Sequence, residues 1–213
     1  MISQQIKTKR RVSKYGEVYT NDREVEAMLN LVSEKAKEIE SKFLEPACGN
    51  GNFLVAILNK KLITVADLYC HDAHLFETYS IIAISSVYGI DIQKDNIEES
   101  RNCLFNLLVN VYVNIFDVYP TEGFNKGAQC ILNRNIICGD TLTYTFINGQ
   151  PIVFSEWKLI GNGYFMREDF LFEYIANNDE DLQKRHVYYK WLSDSDKNNR
   201  KEDIVIGREG TAS

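Results

Sequence analysis

Residues 42–58 read KFLEPACGNGNFLVAIL, and their pattern sets the expected architecture of the chain. A short strand over 42–45 runs into a turn that contains Gly49 and Gly51, and apolar residues at helical spacing follow from Phe53. A strand, a glycine-bearing turn and a helix within about twenty residues form the opening unit of a nucleotide-binding α/β sheet.

The segments on either side of this unit are mostly helical by pattern. An apolar stripe predicts a helix over 22–41, with Asn21 or Asp22 as its cap. Beyond the unit, the sequence predicts a possible short strand near Lys60-Lys61 and a helix over about 75–87.

Two further strands follow in alternation with helices. Residues 88–92 are typical of a buried strand, and Asp95 with Glu98 resembles a capping box at the start of a long helix. A loop around 120–127 then leads to a third strand over 135–140. Alternating β and α segments predict a parallel, doubly wound sheet.

After residue 140 the pattern becomes that of an antiparallel meander. Asn148-Gly149 is a strong hairpin turn signal between two apolar segments, and Gly161-Asn162-Gly163 offers another turn. The expected elements are strands over 142–147, 152–157 and 164–166, and a helix over 167–176.

The chain divides into three segments by composition. Residues 1–21 form a basic arm and residues 22–176 the main domain, whereas residues 177–213 are a charged tail. Within the tail, the aromatic segment 186–192 is expected to dock on another surface, and poor order is expected from Ser193 onward.

Charge and hydropathy exclude several classes of protein. The chain has 213 residues, a formal net charge of −6 and a pI of about 5.2, which argues against binding nucleic acid over the whole surface. No apolar run approaches the roughly 18 residues that span a bilayer, and the start lacks a secretory signal, so we expect a cytoplasmic protein without a membrane partner. The basic arm is either a solvated segment or a phosphate-contacting one, and its cations are Lys7, Lys9, Arg10, Arg11 and Lys14.

The cysteines do not predict a metal site. Five of them are scattered without a CxxC spacing, which indicates reduced thiols. Cys70, His71 and His74 are close in sequence, but no second pair of ligands follows, and a position on a loop or helix surface is the much plainer interpretation.

Three acidic residues close the three predicted parallel strands: Glu45, Asp91 and Asp140. Ligands of open α/β sheets bind outside these carboxyl ends, and the Gly49-Asn50-Gly51 turn lets the backbone approach a ligand closely. A carboxylate after the second strand suits the hydroxyls of a ribose, and one after the third suits an exocyclic amine such as that of adenine. Together they predict an adenosine-containing cofactor, whereas independent helix-capping acids are the plainer alternative.

These motifs resemble those of N6-adenine DNA methyltransferases, which include the modification subunits of restriction-modification systems. FLEPACGNGNFL (43–54) is similar to their S-adenosylmethionine motif, and KYGEVYT (14–20) to the segment that precedes it. YGIDI (88–92) resembles the ribose-binding strand, and NIICGDTL (135–142) the segment whose aspartate receives the adenine amine. The resemblance implies a Rossmann-like methyltransferase fold, incomplete here because only residues 141–213 follow Asp140.

The resemblance also implies a set of cofactor-binding residues and a DNA substrate. DNA would be contacted through the basic arm, and a protein partner or a second copy of the chain could assist. The residues that match the cofactor motifs are Tyr19, Thr20, Glu45, Pro46, Ala47, Gly49, Gly51, Asn52, Phe53, Asp91, Ile92, Asp140 and Thr141.

The chain lacks the family's Asp/Asn-Pro-Pro-aromatic motif, which holds a flipped adenine. Its prolines are Pro46, Pro120 and Pro151, and no two are adjacent. The nearest polar and aromatic substitute is Ser155-Glu156-Trp157, although a buried tryptophan beside a turn is the plainer interpretation.

Three functions therefore remain open. The first is methyl transfer to adenine in DNA, with an unorthodox site or with residues of a partner. The second is a non-catalytic, S-adenosylmethionine-binding regulatory or anti-restriction subunit of a modification or defence complex. The third is a methyltransferase for small molecules or proteins, since the cofactor half does not select the acceptor.

Overall fold

The structure is a computed structural model that describes residues 22–161, 164–176 and 185–190. The predictions for the basic arm, including Tyr19 and Thr20, and for residues 191–213 lie outside the described residues. The helices are α1 (Asp22–Leu31), α2 (Ser33–Lys37), α3 (Asn52–Tyr69), α4 (Ala73–Ser85), α5 (Lys94–Phe116), α6 (Glu122–Asn135) and α7 (Phe172–Ala176). The strands are β1 (Phe43–Glu45), β2 (Val87–Asp91), β3 (Ile136–Asp140), β4 (Thr145–Phe146), β5 (Val153–Gly161), β6 (Tyr164–Leu171) and β7 (Arg185–Lys190).

The first sheet has the strand order β1-β2-β3-β4. The first three strands are parallel, with Phe43 beside Val87 and Gly89 beside Ile136, and β4 is antiparallel to β3. The chain is thus a mixed α/β protein, and the predicted parallel pairing of the three strands is confirmed.

One face of this sheet is covered by α3 and α5, which also contact each other. Side chains of a strand alternate between its two faces. Phe43, Val87 and Ile136 accordingly pack with the buried leucines and isoleucines of the helices.

The opposite face of the sheet is covered by a second, antiparallel sheet of order β5-β6-β7. Tyr88 lies at the centre of this contact, with its ring edge-on to Phe154 at 5.2 Å and its hydroxyl donating to the Ser155 carbonyl at 3.2 Å. Ile90 and Ile137 join the same apolar cluster. An antiparallel meander therefore occupies the face that a doubly wound sheet covers with helices, while α4 and α6 pack against each other and against β5.

Several predicted helix boundaries are wrong. The helix predicted over 22–41 is interrupted at Val32 and ends at Lys37. No strand forms near Lys60-Lys61, because α3 continues to Tyr69 with Lys61 and Leu62 fully inside. Burial of an apolar stripe over five turns outweighs the local ambiguity of the lysine pair.

The loop predicted around 120–127 is the first half of α6. Thr121 caps this helix by accepting from the Phe124 amide at 3.1 Å, and the buried Glu77 carboxylate accepts from the Thr121 amide at 2.7 Å. Two helical glycines cost about 1 kcal/mol each, but burial of Phe124 and Ile131 contributes about 1.5–3 kcal/mol per side chain. Packing therefore overrides the glycine signal.

The predicted hairpin between 142–147 and 152–157 forms only beside its turn, where Thr145 bridges Pro151 and the Ile152 amide donates to the Tyr144 carbonyl at 2.8 Å. Its turn is present, since the Phe146 amide donates to the Gln150 carbonyl at 2.8 Å and Gly149 has φ +80°. Beyond the turn, Ile152 is fully buried beneath Gly139, and the chain leaves to enter the second sheet, where β5 pairs with β6. The residues of the turn fix its backbone conformation. Burial of Ile152 in the core then directs the following residues to pair with β6.

The helix predicted over 167–176 is mostly strand. Residues up to Leu171 belong to β6, and only Phe172–Ala176 is helical. The backbone of Arg185–Lys190 then pairs with β6, so the sheet extends into the segment 177–213 that was predicted to be a tail.

Candidate functional site

The three acids predicted to close the strands all lie at the carboxyl ends of β1, β2 and β3. Glu45 is level with Gly89, and Asp91 is level with Cys138, so each acid extends two residues beyond its neighbour. With strands about 4.8 Å apart and about 3.3 Å per residue, adjacent acids are about 8 Å apart at Cα and the outer two about 16 Å apart. The acids therefore form a diagonal row, which suits an elongated ligand better than a compact one.

Strand alternation places the three acids on one face of the sheet. Glu45 lies two residues after Phe43, while Asp91 and Asp140 lie four residues after Val87 and Ile136. Phe43, Val87 and Ile136 all pack with the helices. The acids, at even spacing from them, therefore lie on the side of the sheet where α3 begins.

The glycine turn between β1 and α3 is held by backbone hydrogen bonds. The Cys48 amide donates to the Ile90 carbonyl at 2.9 Å, and the Gly51 amide donates to the Cys48 carbonyl at 2.8 Å. Gly49 and Gly51 have φ +53° and +87°, which disfavours residues with a side chain.

The two glycines face different surroundings. A Cβ on Gly51 would lie 2.9 Å from the Ser100 Cβ of α5, so Gly51 is required by close helix packing. A Cβ on Gly49 would have no described atom within 4 Å. Gly49 therefore borders open space at the row of acids, where a ligand could approach the backbone.

Asp91 joins the glycine turn to the start of α5. Its Oδ2 accepts from the Gly49 amide at 3.0 Å, and its Oδ1 accepts from the Gln93 amide at 2.7 Å and from Asn96 Nδ2 at 3.3 Å. A carboxylate has about four acceptor positions, so about one remains for a ligand hydroxyl. Asp91 is thus a structural residue and a candidate binding residue at once.

Asp140 and Thr141 organise the next loop. Asp140 Oδ1 accepts from the Leu142 amide at 2.9 Å, and the Thr141 hydroxyl donates to the Pro46 carbonyl at 2.6 Å. The loop after β3 is therefore tied to the loop after β1. Among the described residues, the structure gives no donor to Asp140 Oδ2, which suits it to receive an amine.

Apolar side chains flank the acids. Ile92, which follows Asp91, is 44% exposed, and Leu142, two residues after Asp140, is 90% exposed. The sequence motifs indicated Ile92, whereas Leu142 and Asn96 were missed as site residues. Leu142 could have been identified from the sequence, because it is an apolar residue two positions after the acid that ends β3.

The start of α3 carries no acidic residue in its first turn. Asn52 and Phe53, both predicted cofactor residues, are half-buried there. The partial positive charge of the helix N-terminus favours an anionic group at this point. Glu45, whose Oε1 accepts from the Ala47 amide at 3.4 Å, lies on the other side of the turn.

Cys48 is not a nucleophile at neutral pH. Burial raises the pKa of its thiol, and the carboxylates of Asp91 and Glu45 raise it further. The thiol therefore stays protonated, and its side chain serves as packing against Gly89.

The structure does not bring Ser155, Glu156 and Trp157 to the row of acids. Glu156 pairs at 2.7 Å with Lys42, which precedes β1, and the Ser155 amide donates to Asn135, which precedes β3. These residues therefore lie at the amino ends of the parallel strands. Trp157 is 7% exposed, so the interpretation as a buried tryptophan is confirmed.

Ser155 and Trp157 take part in contacts within the second sheet. The Ser155 hydroxyl donates to Asp169 Oδ1 at 2.7 Å, and the Arg167 guanidinium lies 5.9 Å from the centre of the Trp157 ring. Their position and burial make them unsuited to face a ligand at the carboxyl ends.

Among the described residues, no group of three or more His, Cys, Asp or Glu side chains could hold a metal ion, and this includes Cys70, His71 and His74. In the same part of the chain, none of the helices combines the length and apolar character needed to cross a membrane.

No model of a known protein family, no curated protein and no solved structure matches the chain.

Proposed function

We propose that the carboxyl edge of β1, β2 and β3 binds S-adenosylmethionine and that the chain is a DNA methyltransferase-like protein of the adenine-N6 type, with an incomplete Rossmann-like fold. The single observation that carries this proposal is the diagonal row of Glu45, Asp91 and Asp140 on the face where α3 begins. The row has the order of the sequence motifs that resemble this family.

The residues present fit the cofactor. Asp140 would receive the adenine amine, with Ile92 and Leu142 as apolar neighbours of the ring, and the remaining acceptor position of Asp91 would receive a ribose hydroxyl. The methionine end would lie along the open side of Gly49 towards Glu45 and the start of α3. The bound cofactor supplies a methyl group on a positively charged sulfur, and the chain contributes binding and orientation.

Catalysis is proposed to be lost or to require a partner. The family's proline-containing motif is missing from the sequence, and the substitute Ser155-Glu156-Trp157 lies at the amino ends of the strands. These observations favour the second candidate function, an S-adenosylmethionine-binding regulatory or anti-restriction subunit that acts within a modification or defence complex. DNA contact through the basic arm remains part of either proposal.

Replacing Asp140 with alanine is expected to weaken S-adenosylmethionine binding about 10- to 100-fold, because an unpaired ligand donor costs about 1–3 kcal/mol. Isothermal titration calorimetry with the cofactor and its demethylated product measures this effect. Asp140→Asn keeps an acceptor and should lose less affinity, and Asp67→Ala, on the exposed side of α3, should lose none. Equal affinity in Asp140→Ala and the unaltered chain would refute the assigned adenine site.

The choice between the two functions needs an activity assay. Tritiated methyl transfer to unmodified DNA is measured with the chain alone and with host lysate, and lysate alone is the control. Incorporation above that control supports a methyltransferase, and its dependence on lysate supports a required partner. Cofactor binding without incorporation supports the regulatory subunit, whereas no cofactor binding at saturating ligand rejects both.

A further inference from the structure

The exposed side of α5 changes character along the helix. Its first two turns expose charged residues, among them Lys94 and Glu98. Residues 102–116 then contain no charged residue at all. Within that segment, asparagines recur at every fourth position and all are exposed; they are Asn102, Asn106, Asn110 and Asn114, called here the asparagine face.

The helix itself does not need these asparagines. Leu104, Leu108 and Tyr112 on the opposite side make the buried contacts of this segment. Asparagine is among the poorer helix formers, because its side chain competes for backbone hydrogen bonds. Lysine or glutamate would stabilise an exposed helical position better, so the asparagines fit a role other than holding the helix.

At one end of the asparagine face, Asn102 lines a groove between α5 and α6 whose lining also includes the charged Glu98 and Arg101. The groove has a volume of about 390 Å³. Arg101, at one side, donates to the carbonyls of Ile136 and Asn133, so its charge is engaged with the end of α6. Carboxamides also line the groove, and they are Asn102, Gln129 and Asn133.

We propose that the asparagine face is the contact surface for a second copy of this chain. A carboxamide has both donors and an acceptor, so a row of them can pair with its own copy across a two-fold axis. The chain carries a net charge of −6, and an uncharged surface lets two copies meet without repulsion at the contact. Depletion of charge is also the compositional mark of interface cores.

The spacing of the asparagines specifies a geometry for this contact. A row of residues four apart forms a ridge inclined to the helix axis, and two such ridges interdigitate at a crossing angle near −50°. The uncharged segment is about 22 Å long, from about 1.5 Å per residue. A contact of that length is at the small end of specific interfaces, so a weak, concentration-dependent dimer is expected.

Sedimentation equilibrium of the full chain over a concentration series tests this inference. The unaltered chain should pass from monomer to dimer. Asn106→Lys with Asn110→Lys places like charges at the centre of the contact and should raise the dimer dissociation constant about 100-fold or more. Asn59→Lys, the same change at an exposed position of α3, should leave the constant unchanged.

A complementary pair of variants separates loss of contact from loss of folding. The variant with Asn106→Glu and Asn110→Glu should be monomeric alone and should form a heterodimer when mixed with the double lysine variant. A bifunctional thiol cross-linker offers a second measurement, since the exposed Cys103 lies beside this face, and Cys103→Ser should remove the product. A monomer at every concentration up to about 0.1 mM would overturn the proposal. A dimer that tolerates both double variants, or double variants that unfold the chain, would also overturn it.

Discussion

Asp91→Ala is expected to destabilise the fold and to abolish cofactor binding together. The carboxylate accepts from the Gly49 and Gln93 amides and from Asn96, and these bonds hold the glycine turn against the start of α5. Hydrogen bonds to a charged group contribute about 1.5–3 kcal/mol each, and partial replacement by water leaves a net loss of about 2–4 kcal/mol in the free energy of unfolding. Urea unfolding measures the loss.

Two comparisons make this result specific. Asp67→Ala removes an exposed carboxylate from α3 and should change the free energy of unfolding by less than about 0.5 kcal/mol. In Asp91→Asn only one side-chain atom is an acceptor, because the amide nitrogen would face another donor. Its free energy of unfolding should therefore lie between those of Asp91→Ala and the unaltered chain. If Asp91→Ala is as stable as the unaltered chain, the carboxylate does not hold the turn.

Lys61→Met is expected to have an equally large effect on stability, far from the row of acids. Lys61 is fully buried, and its ammonium donates to the carbonyls of Glu38, Ile39 and Ser41 at 2.8, 3.1 and 2.6 Å. These carbonyls belong to the connection between α2 and β1. Methionine keeps most of the side-chain volume but donates nothing, so the unpaired carbonyls should lower the free energy of unfolding by about 3 kcal/mol.

The pH dependence of this effect has a definite sign. Burial lowers the pKa of Lys61 from 10.5 to about 8, while Glu38 opposes the shift. Between these two values the unfolded chain binds more protons than the folded one, so the contribution of Lys61 to stability rises with pH. Below about 8 that contribution is constant.

The measurement is the difference in unfolding free energy between the unaltered chain and Lys61→Met across this pH range. Lys60→Met is the matched control, because Lys60 is only half-buried and should show no comparable loss of stability. A difference that stays flat or falls with rising pH would contradict the assigned protonation behaviour.

The position of the acids could be predicted from the sequence because the signals are local. A buried strand that ends in a carboxylate, followed by glycines and an apolar helical stripe, has few alternatives within one segment. The same holds for the Asn148-Gly149 turn, which forms as predicted. The predictions failed where one sequence pattern fits both a helix and a strand. Residues 167–171, which were predicted as helix, are strand.

The site residues that were missed or misplaced depend on contacts between residues far apart in the sequence. Asn96 is polar and buried, and only the fold shows that its amide reaches Asp91. Ser155, Glu156 and Trp157 were proposed because they supply polar and aromatic groups about where a fourth parallel strand was expected, but their chain segment lies at the amino ends of the parallel strands. Sequence order did not indicate which end of the sheet they would reach.

The sequence by itself determined the three strand segments, the acids at their ends and the turn that needs its glycines, because each depends on backbone conformation and hydrogen bonding within a few residues. Only the tertiary structure decided that a meander covers the second face, that Lys61 is buried as a donor to three carbonyls, and that the asparagines of α5 form one exposed row beside a groove. Those outcomes depend on burial and contacts between residues far apart in the chain, which no local pattern specifies.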